Sequence, residues 1–396
     1  NTPNMKTAYG HLSYCSNIHP GEIWEEHFAN LQATVPKVKQ EVCPDQAMGL
    51  GLRIANQASI DLTEDANKLA ALKTWLAEEE LYIFTLNGFP YGGFHNTIVK
   101  DQVHAPDWTT QDRVNYTRRL IDLLVELLPS DQHEGGISTS PLSYKYWWDQ
   151  RGAAIGQATM ELLKLVPYLA QTEQKTGKWI HIDIEPEPDG LLENHREFVD
   201  WYTDTLIPFA ITAGIPEDWV RRHIHICFDV CHYGVSFDKP SECLMELQEK
   251  NISIGKIQIS SALRVDLRNN ASARIEALKQ YEEPTYLHQV KALKKDGSFV
   301  QFKDLGEALA QYTDGVYDEW RVHFHVPLFL DSYGLLNSTQ AEIAETLAYH
   351  KQYQVTNMME IETYTWGVLP IEYQESIETS IAREVTFIQD LLCKKL

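Results

Sequence analysis

Short β-rich runs recur along the chain, each followed by a turn and an amphipathic stretch of helical period. The predicted strands are His11–Asn17, Gly49–Ile54, Leu81–Asn87, Gly136–Ser140, Trp179–Glu185, His223–Asp229, Lys256–Ser260, Arg321–Phe329 and Met358–Thr365. Helical patterns follow most of them, over Pro20–Gln40, Thr63–Glu80, Gln111–Leu128, Gly152–Thr176, Leu192–Ala213, Ser338–Gln352 and Glu372–Cys393. Strands alternating with helices imply parallel pairing through right-handed crossovers. Eight such units close into an α/β (β/α)8 TIM barrel, and 396 residues suit a single barrel domain over 1–396.

Nine predicted strands are one too many for that barrel. Tyr286–Leu293 and Ser298–Lys303 flank Lys295-Asp296-Gly297 and read as a hairpin, within an insertion near 269–319. Periodicity leaves both Lys256–Ser260 and Arg321–Phe329 open as the seventh strand.

The alternation within the strands says more than their number. Ile180, Ile182 and Ile184 oppose His181, Asp183 and Glu185, and Ile224, Ile226 and Phe228 oppose His223, His225 and Asp229. Gln258 and Ser260 oppose Ile257 and Ile259, His323 and His325 oppose Phe324 and Val326, and Glu360 and Glu362 oppose Met359 and Ile361. The face that meets the helices must be apolar, so the polar set points into the barrel. A solvated antiparallel sheet also alternates, but the intervening helical stretches argue against one.

Buried charge must be paired, hydrogen-bonded or ligated. Glu185 ends its strand before Pro186-Glu187-Pro188, Asp229 precedes Val230-Cys231-His232, and Glu362 sits near the end of its strand. Active sites of this fold lie at those carboxyl ends. Three carboxylates converging with an imidazole or amide oxygen make a site for Mg²⁺, Mn²⁺ or Zn²⁺. The competing reading is a lumen of salt bridges without metal. His325, on a His-x-His strand face, and Gln258 both offer a further donor. Three loops follow strands and look suited to a ligand with hydroxyls or rings: Asn17–Glu22 with His19, Asn87–His95, and Ser138–Lys145. His19, Asn87, His95, Lys145 and Glu187 are therefore the candidate substrate contacts.

Charge narrows the partners. With 34 Lys and Arg against 56 Asp and Glu, the net charge is −22, which argues against nucleic acid and anionic membrane surfaces. No run is long and apolar enough to span a membrane. Six cysteines without a CxxC pair suggest reduced thiols in a cytoplasmic compartment. No Walker A loop, dinucleotide fingerprint or Gly-x-Ser-x-Gly elbow occurs.

Several motifs together resemble a known family. Leu12–Glu22, Thr85–His95, Ile184–Pro188, Asp229-Val-Cys-His232 and Glu360–Trp366 resemble the EboE family of metabolite-traffic proteins, over nearly the whole chain. That family belongs to the xylose-isomerase-like barrels, which include sugar isomerases, epimerases and the endonuclease IV group. The resemblance implies a divalent-metal barrel from a bacterial gene cluster that moves a secondary-metabolite precursor, with other proteins of that cluster as partners. In the superfamily, Glu, Asp, His and Glu on late strands hold the metal. Glu185, Asp229 and Glu362 match the three acids, and His232 matches the substrate-contacting histidine. The remaining slot holds Gln258 instead of His, so Gln258 coordinates, His325 replaces it, or metal binding weakens.

The expected function is a metal-dependent isomerase or epimerase acting on a small hydroxylated metabolite. Glu185 or Glu362 would shuttle the proton and His232 would polarise an oxygen. The alternative is a metabolite carrier that uses the same pocket without turnover. An endonuclease IV-like phosphodiesterase is disfavoured by the charge and by the missing histidine-rich set.

Overall fold

The computed structural model describes residues 5–93, 95, 97–362 and 368–394. Seven parallel strands come first: β1 (Gly10–Cys15), β2 (Met48–Arg53), β3 (Thr85–Asn87), β4 (Glu134–Thr139), β5 (Trp179–Ile184), β6 (Ile224–Asp229) and β7 (Ile254–Ile259). At Ser260 the chain leaves the barrel and enters a six-stranded antiparallel sheet: β8 (Ser261–Asp266), β9 (Val290–Lys294), β10 (Phe299–Phe302), β11 (Tyr317–Val326), β12 (Ser332–Tyr333) and β13 (Leu336–Ser338). Helix Gln340–Tyr353 returns it to β14 (Met358–Ile361), which pairs in parallel with β7 and β1 and closes the barrel. The result is a (β/α)8 barrel of eight parallel strands with surrounding helices.

The two candidates for the seventh strand are thereby separated. Lys256–Ser260 falls on β7, and Arg321–Phe329 falls on β11 of the second sheet, where Val326 pairs with Ser261 and Val322 with Leu263. β11 alternates because one face packs apolar side chains such as Trp320, Val322 and Phe324, not because it belongs to the barrel. The expected hairpin is present, with Val290 opposite Phe302 and Gly297 at φ +86 in its turn. However, the inserted sheet begins at Ser261 and ends at Ser338, well beyond 269–319. The last predicted strand ends at Ile361, and residues 363–365 lie outside the described ones.

Helix boundaries differ where polar side chains or backbone breaks intervene. The span predicted as Thr63–Glu80 is two helices, Asn56–Glu64 and Ala66–Glu78, the second capped by Asp65, whose side chain accepts from Asn67 N. Gly152–Thr176 likewise divides into Arg151–Leu163 and Leu165–Thr176. The C-terminal helix, Ile377–Cys393, is capped by Ser376 and packs on Trp24–Val42. Among the described residues, no helix is long and apolar enough to cross a membrane.

The outward side chains Ile180, Ile182, Ile184, Ile224, Ile226, Ile257 and Met359 are fully buried under the helices. Burying each contributes about 1.5–3 kcal/mol. The lumen is polar instead. Lys256 Nζ lies 2.9 Å from Glu360 Oε1, and Ser13 Oγ donates to Glu360 Oε2 at 3.0 Å. Room for that carboxylate comes from Gly51, where a Cβ would stand 1.5 Å from Glu360 Oε2.

Candidate active site

The mouth of the barrel is built by strand ends. Asp229 closes β6 and caps the short helix Val230–Val235, its Oδ1 accepting from His232 N at 3.2 Å and from Ser260 Oγ at 2.6 Å. The cap fixes the Asp-x-x-His unit, because it places His232 one turn above its own carboxylate. His232 Nδ1 donates to the carbonyl of Pro186 at 2.9 Å. Its Nε2 is then the lone-pair nitrogen, 3.6 Å from Asp229 Oδ2 and 3.8 Å from Glu187 Oε2.

Donor atoms of Glu185, Asp229 and His232 all lie within 4.8 Å of one another, and all three residues are buried. Glu362 stands beside them, accepting from Gln258 Nε2 at 2.7 Å and from Asn17 Nδ2 at 3.3 Å. Burial, with the charges of Asp229 and Glu362, pushes the Glu185 carboxyl well above its usual range. Burial, with the charges of Asp229 and Glu360, does the same to Glu362. Asp229 is held low: burial opposes ionisation, but the nearby imidazoles of His232 and His325 together with hydrogen bonds from Glu185 and Ser260 outweigh it. Like charges this close ionise together only when a cation joins them.

The inserted sheet contributes the opposite wall. Because β8 starts where β7 ends, its antiparallel partner β11 brings His323 and His325 back over the mouth. The ring of His323 lies 4.8 Å from that of His232, and the ring of His325 lies 6.0 Å from it. His323 Nδ1 donates to Gln289 Oε1 at 2.7 Å, which leaves its buried Nε2 without a hydrogen-bond partner. Two further sets of metal-binding donors arise here, Glu187 with His232 and His323, and Cys231 with His323 and His325.

A pocket opens above these groups. Asn17, Asn87, Glu185, Glu187, His232 and Glu362 form its floor, and Phe89, Pro90, Val99, Val103 and Leu287 give it an apolar side. Of the expected contacts, Asn87 and Glu187 line the pocket, whereas His19, His95 and Lys145 do not. His95 Nε2 bonds the carbonyl of Asn17 at 2.5 Å, and His19 bonds the Tyr14 hydroxyl at 3.1 Å. Lys145 is held by Glu193 at 2.8 Å and Asp189 at 3.5 Å, on the flank of the mouth. Gln258 sits on β7 inside the barrel, with its Oε1 buried and unpartnered. His104 carries no sequence signal, being at the end of a short 3-10 helix (Lys100–His104) between strands, yet its Nε2 reaches Glu187 Oε1 at 3.0 Å. Tyr286, Leu287 and Gln289 were equally illegible, because only the inserted sheet brings them here.

Comparison with solved structures gives the fold a place. A protein from Anabaena variabilis classed with the sugar phosphate isomerases/epimerases superposes with a TM-score of 0.50 at 10% identity, covering 96% of this chain and 97% of that one. The fold the two share is a (β/α)8 barrel. An IolI protein with a bound zinc atom (TM-score 0.49, 10% identity, 97% and 99% covered) is also similar. So is a xylose isomerase domain protein from Planctomyces limnophilus (TM-score 0.47, 9% identity, 96% and 95% covered). No protein-family model matches the chain, and no curated protein matches it by sequence.

Proposed function

We propose that this chain is a divalent-metal-dependent isomerase or epimerase acting on a neutral hydroxylated metabolite with an apolar arm. The observation that carries this reading is the convergence of Glu185, Asp229 and His232 within 4.8 Å at the barrel mouth. The residues fit a cation. Asp229 Oδ2 and Gln258 Oε1 are buried acceptors without hydrogen bonds, and both belong to hard or borderline donors. Glu185, Asp229 and His232 would hold the ion, with Gln258 and Glu362 beside it. Mn²⁺, Mg²⁺ and Zn²⁺ all suit such a set. When bound, the ion would supply Lewis-acid polarisation of adjacent substrate oxygens.

The chain's own residues do the rest. Glu362, as the carboxylate, would take the proton from the hydroxyl-bearing carbon of an α-hydroxyketone and return it to the former carbonyl carbon on the same face, the hydroxyl proton passing to the other oxygen. Gln258 and Asn17 steady its carboxylate when it is charged. Glu187, oriented by His104, accepts a substrate hydroxyl. Phosphate finds little here. Lys100 is the one cationic side chain among the described lining residues, and it is paired with Asp304 at 2.7 Å.

Deuterium incorporation tests the reading. Neutral α-hydroxyketones incubated in deuterated water with Mn²⁺ should exchange a carbon-bound proton, and Glu362→Gln should abolish exchange while keeping affinity within about tenfold, ~1.4 kcal/mol. A second reading rests on the apolar side formed by Phe89, Val99 and Leu287. It is a carrier in the metabolite traffic that the EboE resemblance implies, handing its cargo to other proteins of the same cluster. Binding without exchange, weakened by Phe89→Ala, would favour it.

A further inference from the structure

A second group of donors stands where the inserted sheet meets the barrel, and the isomerase chemistry does not use it. Cys231 lies on the short helix Val230–Val235, and His323 and His325 share one face of β11. That helix packs on both β8 and β11, which sets Cys231 against the two imidazoles. One donor atom from each of the three comes within 4.8 Å of the others. Consecutive helical residues point about 100° apart. His232 therefore turns to Asp229 and Glu187, while Cys231 turns to the inserted sheet.

We propose that Cys231, His323 and His325 hold a second divalent ion, of zinc type, beside the ion at Glu185 and Asp229.

The strongest observation is His323. Gln289 holds it twice, its carbonyl accepting from His323 N at 2.8 Å and its Oε1 accepting from His323 Nδ1 at 2.7 Å. With the proton on Nδ1, the lone pair is on Nε2. That nitrogen is buried and has no hydrogen-bond partner, a costly state unless an electron-pair acceptor meets it. An acceptor behind a metal-binding histidine, here Gln289, fixes the ring's orientation and tautomer.

His325 is prepared in a similar way. The Glu362 carbonyl accepts from one of its ring nitrogens, so the other carries a lone pair. The rings of His323 and His325 stand 5.4 Å apart and are inclined at 52°. Because they are not stacked face to face, each can turn an edge to a common point. Cys231 is a free thiol and fully buried. Two imidazoles and a thiolate, completed by water, are a Zn²⁺ donor set, softer than the carboxylates next to it. On ligation the thiol proton leaves to solvent and the sulfur binds as thiolate.

Charge favours a second ion. Glu185, Glu187, Asp229 and Glu362 are all buried around this mouth. One divalent ion offsets only two of their four charges. With the thiolate added, two ions set four positive charges against five negative ones. This part of the argument rests on the metal reading of the mouth, whereas the donor set of the second ion does not. His323 lines the pocket, so an ion reaches the cluster without any opening of the barrel.

The test is Co²⁺ titration of the full chain, with Cys393→Ser removing the exposed thiol. Cobalt bound to a thiolate absorbs strongly in the near ultraviolet, and cobalt on oxygen and imidazole alone does not. The protein should take up two equivalents and show that band. Cys231→Ala should abolish the band and keep one equivalent, and His323→Ala should weaken binding of the band-forming ion at least tenfold. Glu185→Gln/Asp229→Asn should keep the band and lose the other equivalent, which separates this proposal from the reading of the mouth. Cobalt-loaded protein without the band would overturn the proposal and assign His323 to Glu187 and His232. A band that survives Cys231→Ala would overturn it too, as would loss of the band in the Glu185/Asp229 double variant. Should Cys231→Ala fail to fold, anomalous diffraction at the zinc edge on zinc-loaded wild type decides. A peak about 2.3 Å from Cys231 Sγ supports the site, and its absence overturns it.

Discussion

Gln258 donates its amide to Glu362 at 2.7 Å and leaves its own carbonyl oxygen buried without a partner. That arrangement bears on the slot that the sequence left open. Gln258 holds Glu362 with one end and offers an acceptor beside Asp229 with the other, whereas His325 arrives from the inserted sheet beside Cys231 and His323. Gln258→Ala should therefore lower Mn²⁺ affinity by about 10–100-fold, the usual effect of removing such a partner. His325→Ala should stay within about threefold. Titration calorimetry on the two variants checks this, and the reverse ranking would assign the slot to His325.

The lumen pair Lys256–Glu360 is fully buried on both sides. Burial opposes the charge on Lys256, but Glu360 outweighs it and holds the ammonium protonated. Removing one partner strands the other, so Lys256→Met should cost about 3–5 kcal/mol in urea unfolding. Lys256→Met/Glu360→Leu should recover much of that loss. A double variant as unstable as the single one would show that Glu360 has a role beyond the pair.

Gly51→Ala should destabilise by about 1–3 kcal/mol, because the new methyl meets a carboxylate that Ser13, Lys256 and Gln258 hold in place. Glu360→Gln should not relieve the clash, whereas Glu360→Ala in the Gly51→Ala background should. Equal stability of wild type and Gly51→Ala would mean that the carboxylate moves freely.

Much of this was legible in the strand alternation, since a polar face opposed to an unbroken apolar one already placed Asp183, Asp229, Gln258 and Glu360 inside. Asp229 and His232 also followed locally, because a cap and its third residue are fixed by sequence spacing. What pattern alone did not give is the far wall. His323 reaches the mouth only because Ser261 pairs with Val326, a contact across more than sixty residues. Lys145 and His19 were misleading for a related reason. Following a strand puts a residue near the mouth, but nearby acids or a tyrosine decide which way it turns.

Acid should loosen the first loop before it touches the metal acids. Burial, with neighbouring His27 and His95, pushes His19 down to about 3. Burial, with Arg53, takes His27 and His95 down to about 4. Folded values below the ordinary histidine value of 6.5 mean that the unfolded chain binds more protons between those limits. Stability is therefore full above pH ~6.5 and falls as pH drops towards ~4, by about 1.4 kcal/mol per pH unit for each histidine. Urea unfolding from pH 7.5 to 5 should show this slope, and His27→Gln should reduce it by one proton's worth. A flat profile in that window would show that the histidines are not buried as described.

The central claim is that the acids at the mouth share a divalent ion. Crystals grown with MnCl2 and measured at the manganese edge test it most directly. The account predicts an anomalous peak about 2.2 Å from carboxylate oxygens of Glu185 and Asp229 and from His232 Nε2, absent in Glu185→Gln/Asp229→Asn. No peak at that position, with Glu185 and Asp229 sharing a proton instead, would contradict it.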